Sequence, residues 1–177
     1  MKKLLASFIV VGLFTLFLVG ENGKVGAEEF KESVQYFDSN NSPVSPYTQK
    51  ELDEMKERVR NLEGKSSRNN LNDYSLSSSY YHFGETSYSN YVWIKGGSTF
   101  YNPQYVDFEI INRIEGRALY VYDSSGKYQG KAVFPKYGNI WYASSWTHLP
   151  RGKSYKFKLV SELGYYSELL QGSVKYN

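Results

Sequence analysis

The sequence predicts a mainly β protein: an antiparallel β-sandwich, jelly-roll or immunoglobulin-like, of about seven strands, preceded by one amphipathic helix. Three observations predict it. Short runs of alternating apolar and polar residues recur through residues 80–177, turn residues separate these runs, and no helical period lies between them. The same part of the chain is rich in aromatic residues, with 15 of the 18 tyrosines and all three tryptophans.

The first 27 residues have the pattern of an export signal. Lys2 and Lys3 precede an apolar run over residues 4–19, and the small residues of segment 25–27 suit a signal peptidase. We therefore expect a secreted, extracellular bacterial protein whose mature chain begins at Glu28. An uncleaved membrane anchor is the alternative, which the length of the run disfavours because a spanning helix needs about 20 apolar residues. The chain has no cysteine, so neither disulfides nor thiolate metal sites are expected.

Residues 28–79 contain one clear element, an amphipathic helix predicted over residues 46–63. Leu52, Met55, Val59 and Leu62 lie on one face at helical spacing. This apolar stripe is narrow, so we expect one face of the helix to dock on the β domain or on a partner; the alternative is a partly stable helix tethered by its flanking segments. The rest of the segment, including a Ser- and Asn-rich linker up to residue 79, is predicted to be mobile, and the β domain to span residues 80–177.

The seven predicted strands come from runs that end at turn residues. They are residues 90–94, 105–111, 118–122, 131–134, 139–146, 154–160 and 172–176. The turn from Asp123 to Gly126 predicts a hairpin between two of them. A second turn, around Pro150 and Gly152, leads into an alternating strand, an arrangement similar to that of secreted jelly-roll and fibronectin-like accessory modules. This likeness indicates an architecture and no particular family.

The charge pattern argues against a nucleic-acid partner. Residues 80–177 carry a net charge of +4 and residues 28–79 a net charge of −3, and the cations are dispersed along the chain. Only residues 151–158 are locally basic. There Lys156 and Lys158 alternate with apolar residues, which indicates the outward face of a strand, with contact to an anionic polymer as the alternative.

Catalytic and metal sites are not predicted, and we expect no enzyme and no cofactor. His82 and His148 are the two histidines of the chain, and neither has a second ligand at metal spacing. Ser144 and Ser145 lie near His148, but local hydrogen bonding to the backbone is the expected role for such serines.

Paired carboxylates for glycoside hydrolysis remain an alternative that sequence spacing cannot test. Asp107 and Glu109 share one side of a predicted strand, opposite Val106, Phe108 and Ile110. This pattern predicts a solvated face rather than a catalytic pair.

Surplus aromatic residues predict a binding surface. The candidate ligand-binding residues are Trp141, Trp146, Tyr120, Tyr122 and Tyr137, because tyrosine and tryptophan combine flat apolar faces with a polar tip. Trp141 and Trp146 are an odd number of residues apart, so they are expected on opposite faces of their strand, with Trp141 outside beside Tyr137 and Trp146 inside. The alternative is that cross-strand aromatic pairs only stabilise the sheet.

The sequence therefore favours a secreted non-enzymatic recognition module that binds a glycan, a cell-wall polymer or an extracellular protein through an aromatic face. A secreted membrane-active or bacteriocin-like protein is the alternative. Membrane contact is disfavoured because the strands are shorter than the roughly ten residues of a lipid-facing barrel wall.

Overall fold

A computed structural model describes residues 34–64, 79–136 and 140–177 of the 177-residue chain. The signal segment predicted over residues 1–27, nearly all of the predicted linker and Tyr137 lie outside the described residues. Cleavage and secretion therefore stay predictions.

The described residues form twelve strands and one α-helix in two antiparallel sheets, which confirms the mainly β, sandwich-like fold with a strand count higher than seven. In chain order the elements are β1 (Gln35–Asp38), β2 (Pro43–Val44), α1 (Gln49–Gly64), β3 (Ser79–Phe83), β4 (Thr86–Tyr88), β5 (Tyr91–Trp93), β6 (Phe100–Tyr101), β7 (Tyr105–Ile110), β8 (Arg117–Asp123), β9 (Tyr128–Val133), β10 (Trp141–Ser145), β11 (Ser154–Ser161) and β12 (Ser167–Tyr176). The additional strands β1 to β4 and β6 are short, with at most five residues each.

Sheet A has the strand order β2-β1-β9-β8-β11-β5, with β6 also pairing with β11. Sheet B has the order β10-β7-β12-β3, with β4 also pairing with β12. Strands β8 and β9 pair on either side of the turn at Asp123 to Gly126, which confirms the predicted hairpin. The core lies between the sheets, where alternate residues such as Phe108, Val121 and Phe157 are fully buried.

The amphipathic helix docks on sheet B with one face. Thr48 caps it: the Thr48 N–H donates to the Glu51 carboxylate and the Glu51 N–H to the Thr48 hydroxyl, the reciprocal pattern of a capping box. Met55 is buried in the core cluster, and Leu52 packs against that cluster. The predicted one-sided docking of the helix is therefore confirmed, and the surface it uses belongs to the β domain.

The predicted solvated face of β7 is wrong. Val106, Phe108 and Ile110 point into the core as expected, but Asp107 is 0% and Glu109 3% exposed. The reason is that α1 brings Arg58 against Asp107, while the Gln171 amide donates to Glu109. Alternation correctly separates the two sides of β7, but it cannot show that a helix covers one of them.

Strand β1, which precedes the predicted β domain in the sequence, is part of sheet A. It pairs with β9, and Tyr36 belongs to the same buried cluster as Tyr47 and Met55. Gly130 permits this approach, because a Cβ there would collide with the Phe37 carbonyl oxygen. We expected the segment before residue 80 to be mobile apart from its helix. Instead, Tyr36 and Tyr47 contribute to the core of the β domain together with Met55 of the helix.

Candidate binding face of sheet A

The outward side of sheet A carries the tyrosines that alternation predicts. Leu119 and Val121 of β8 point into the core and are fully buried, so Tyr120 and Tyr122 point away from it. In β11 the same alternation buries Phe157 and turns Lys158 outward.

Five outward-pointing side chains of sheet A lie in register across five neighbouring strands. Phe37 pairs with Lys131, Lys131 with Tyr120, Tyr120 with Lys158, and Lys158 with Trp93. The result is a line of side chains that alternates between an aromatic ring and a lysine, which we call the aromatic–lysine row.

Lys158 lies among four aromatic rings. Its Nζ is 4.8 Å from the ring centroid of Tyr91, 5.1 Å from that of Trp93, 5.7 Å from that of Tyr120 and 4.9 Å from that of Tyr122. Such distances are those of cation–π contacts. Among the ion pairs that the described residues form, none includes Lys158. Its positive charge is thus held on the face without a carboxylate to cancel it.

Lys131, in contrast, is paired. Its Nζ is 2.6 Å from Oε1 of Glu162, and the Tyr120 hydroxyl donates to the same oxygen over 2.7 Å. Burial and the bond to the Glu162 carboxylate raise the pKa of Tyr120, so this tyrosine stays neutral well above physiological pH. The Glu162 carboxylate therefore holds two neighbouring members of the row in position.

Ring contacts connect the row to its surroundings. The ring centroid of Tyr122 is 5.3 Å from that of Trp93 and 5.6 Å from that of Tyr128. Burial and neighbouring charges, including those of Tyr122 and Glu162, raise the pKa of Tyr128 to about 12. Tyr91 is the most open ring of this face, with 56% of its surface exposed. The rings hold one another in place, and Tyr91 keeps an accessible surface.

The structure brings together two of the five predicted binding residues. Tyr120 and Tyr122 lie on this face, and Tyr137 lies outside the described residues. Trp146 is inside, 1% exposed, as predicted, where its ring packs on Phe157 and its Nε1 donates to Ser144.

The predicted exposure of Trp141 is wrong. Its register partner is Glu109, so it does lie on the opposite side of β10 from Trp146, as their spacing predicts. That side of sheet B is the one on which α1 docks, and Trp141 is only 4% exposed. Trp141 and Trp146 are thus both buried, and a buried side chain cannot contact a ligand without rearrangement; the binding role predicted for them stays a prediction.

The residues that the sequence argument missed are Phe37, Tyr91, Trp93, Tyr128 and Lys131. A signal for two of them was available, because Val92 points inward and period-two alternation then turns Tyr91 and Trp93 outward. Lys158 was expected on an outward strand face, and it occupies one.

The serines near His148 make local hydrogen bonds, as expected. The Ser144 hydroxyl donates to the Val106 carbonyl oxygen, and the Ser145 hydroxyl bonds to that of Thr147. His148 instead contacts the Tyr47 hydroxyl, and burial lowers the pKa of its imidazole. In the described part of the chain, His, Asp and Glu residues form no group of three that could hold a metal ion.

No protein-family model matches the chain, and no curated protein is significantly similar to it. Within residues 34–64, 79–136 and 140–177, no helix is long and apolar enough to cross a membrane.

Proposed function

We propose that the protein is a secreted, non-enzymatic recognition module that binds a glycan or cell-wall polymer on the outward face of sheet A. The aromatic–lysine row is the observation that carries this proposal. Flat rings suit stacking against the apolar faces of sugar rings, and ammonium groups suit the acidic groups that many extracellular polymers carry.

The spacing of the row supports an elongated ligand. Phe37, Tyr120 and Trp93 lie on strands two steps apart, and neighbouring strands are about 4.8 Å apart, so the rings recur every 9 to 10 Å, roughly. The two lysines have the same interval. A polymer that runs across the strands would meet rings and ammonium groups in alternation.

The charge of the face supports an acidic ligand. Lys131, Lys156 and Lys158 project from its strands, while Glu162 is bonded to Lys131 and Tyr120. Because Lys158 has no carboxylate partner among the described residues, the face has an excess of positive charge. Uronic acids and phosphate-bearing wall polymers have the matching chemistry.

The packing of the rings supports tight binding at low entropic cost. Tyr122 and Tyr128 are each in contact with more than one neighbouring aromatic or lysine side chain, so binding orders few new rotamers.

The experiment is a sedimentation assay with insoluble bacterial walls, used intact and after extraction of their acidic polymers. We expect binding to intact walls that falls with added salt, since salt screens the lysines. Binding that is equal before and after extraction and insensitive to salt would contradict an acidic ligand, and absence of binding to any wall or polysaccharide would contradict the proposal.

A matched pair of variants assigns the binding to the face. Tyr91→Ala removes a 56% exposed ring beside Lys158, and Tyr165→Ala removes a 51% exposed ring from the loop between β11 and β12. We expect about a fivefold loss of affinity for Tyr91→Ala, or about 1 kcal/mol, and no loss for Tyr165→Ala. Equal losses would place the contact elsewhere.

Vesicles test the membrane-active alternative in the same preparation. Release of a trapped dye from lipid vesicles at the concentrations that bind walls would support that alternative and contradict a pure recognition role.

A further inference from the structure

A second feature, separate from the face, lies between the two sheets at the start of β8. Arg117 points to the same side of its strand as Leu119 and Val121, into the core, and is 1% exposed. Arginine is almost never fully buried unless it is paired.

The bonds of Arg117 go to neutral acceptors. Its Nη2 donates to the Asn112 carbonyl oxygen over 2.7 Å and to the Ser167 hydroxyl over 3.1 Å, and its Nε donates to the same hydroxyl over 3.4 Å. No ion pair among the described residues includes it, and Nη1 has no acceptor. The Tyr142 ring, whose centroid is 6.0 Å from Cζ, is the aromatic neighbour of this guanidinium, and no carboxylate in the described residues balances its charge.

Two further buried polar atoms without a hydrogen bond are close to this guanidinium. Ser161 is the register partner of Arg117 and points to the same side of sheet A, and its Oγ has no partner. Tyr88 is the register partner of Ser167, and its hydroxyl lies close enough to Ser167 and Arg117 for both to act on its pKa, but it makes no hydrogen bond of normal geometry with either. Of the four such atoms in the described residues, three therefore belong to this cluster, and the fourth is Trp141 Nε1.

The charge of the cluster is positive at neutral pH. Burial lowers the pKa of Arg117, but an arginine remains protonated in proteins. Burial raises the pKa of Tyr88, so its hydroxyl is neutral and cannot balance the charge. Removing a charge from water without a partner is unfavourable, and an ion of opposite charge would offset that cost.

The number of unpaired hydrogen-bond donors in this cluster also favours an anion. Nη1 carries two N–H groups, and the Tyr88 and Ser161 hydroxyls each carry one further hydrogen without an acceptor. A water molecule would accept about two of these bonds and add two hydrogens of its own that need acceptors. An anion accepts all of them and cancels the charge.

We propose that Arg117, Tyr88 and Ser161 form an internal site for a small monovalent anion of the size of chloride. The small size follows from burial, because Ser161 and Ser167 are both under 5% exposed and leave no open path for a larger acid. The anion would join sheet A, through Arg117 and Ser161, to sheet B, through Tyr88. This site is independent of the face on the outside of sheet A.

Bromide provides the direct test, because it replaces chloride and is visible by anomalous diffraction. Crystals of the full secreted chain, grown in sodium bromide, are expected to show an anomalous peak within hydrogen-bond distance of Arg117 Nη1. Bromide on surface lysines only, with an ordered water or no density beside Nη1, would mean adventitious ions and would overturn the proposal.

Chloride-dependent stability provides a test in solution. At constant ionic strength set with a large organic anion, each tenfold rise in chloride above its Kd should lower the unfolding equilibrium constant about tenfold. Arg117→Met should lose this dependence, and the surface control Arg60→Met should keep it. The same chloride dependence in Arg117→Met, or none in the unmodified chain, would overturn the site, and the bromide experiment decides the matter if Arg117→Met does not fold.

Discussion

Arg58 of helix α1 forms a bidentate ion pair with Asp107 on β7, an inner strand of sheet B. Its Nε lies 2.9 Å from Oδ1 and 3.0 Å from Oδ2, and Nη2 also donates to Oδ2. Burial alone would lower the pKa of Arg58, but the hydrogen bonds and charge of Asp107 outweigh it and raise this pKa. The pair connects the helix to a carboxylate that has no access to water.

Removing Arg58 should therefore cost far more than removing another helix arginine. We expect Arg58→Ala to lower the free energy of unfolding by about 3 kcal/mol, because it leaves the Asp107 charge buried and unpaired. Arg60→Ala is the control: its side chain is 69% exposed and pairs with Glu57, so a loss under about 1 kcal/mol is expected. Urea denaturation measures both, and equal losses would mean that the pair contributes little.

Residues 80–177 should not fold as stably alone as they do with residues 34–64. Without that segment β9 loses its β1 partner, Asp107 loses Arg58, and the core loses Tyr36 and Met55. We expect the isolated 80–177 fragment to unfold at a much lower temperature than a chain of residues 28–177, or to lack a cooperative transition. A fragment with an unchanged midpoint in calorimetry would instead support a domain boundary at residue 80.

Trp141 and Trp146 should both behave as core residues. Each is under 5% exposed, so Trp141→Ala and Trp146→Ala should each cost about 3–5 kcal/mol of stability. A solvent-facing tryptophan would cost under about 0.5 kcal/mol. Denaturant midpoints of the two single variants distinguish these results, and a stable Trp141→Ala protein that loses wall binding would restore Trp141 as a ligand contact.

His148 should make stability depend on pH. Burial lowers the pKa of its imidazole in the folded state below the ordinary 6.5, so the unfolded chain binds more protons in this range. Stability is complete above about pH 6.5 and is lost as the pH falls toward the folded pKa, by at most about 1.4 kcal/mol per pH unit. His148→Gln should remove this slope. Identical pH profiles for the two proteins would show that His148 does not contribute.

Local patterns predicted the strands well, because alternation is a local property of the chain. Val106, Phe108 and Ile110 point inward, and the hairpin after Asp123 forms as its turn residues indicate. Strand order is a long-range property. Nothing in residues 35–38 shows that they pair with β9, and without that pairing Phe37 cannot be placed beside Lys131.

The candidate site was predictable only in part for the same reason. Alternation alone predicts that Tyr120 and Tyr122 point outward, and it would have predicted the same for Trp93. It could not show that β5 lies beside β11, which brings Trp93 next to Lys158. Nor could it show that α1 covers the side of sheet B on which Trp141 lies, so the outward side of a strand was mistaken for an exposed one.

Trp93 should contribute more to binding than any tyrosine of the face. Its ring lies 5.1 Å from Lys158 Nζ and ends the aromatic–lysine row. We expect Trp93→Ala to weaken wall-polymer binding by about thirtyfold, or about 2 kcal/mol, whereas Lys95→Ala beyond the end of β5 should not. Thermal denaturation of both variants separates lost binding from lost folding.

Hydroxyl-radical footprinting of residues 28–177, with and without a bound wall polymer, tests the binding face most directly. We expect the polymer to slow oxidation of Tyr91, Trp93 and Tyr122 several-fold while Tyr165 and Tyr166 react as before. Protection of Tyr165 and Tyr166 with unchanged oxidation of Tyr91 and Trp93 would contradict this expectation, because the ligand would then occupy the loop between β11 and β12 and not the outward face of sheet A.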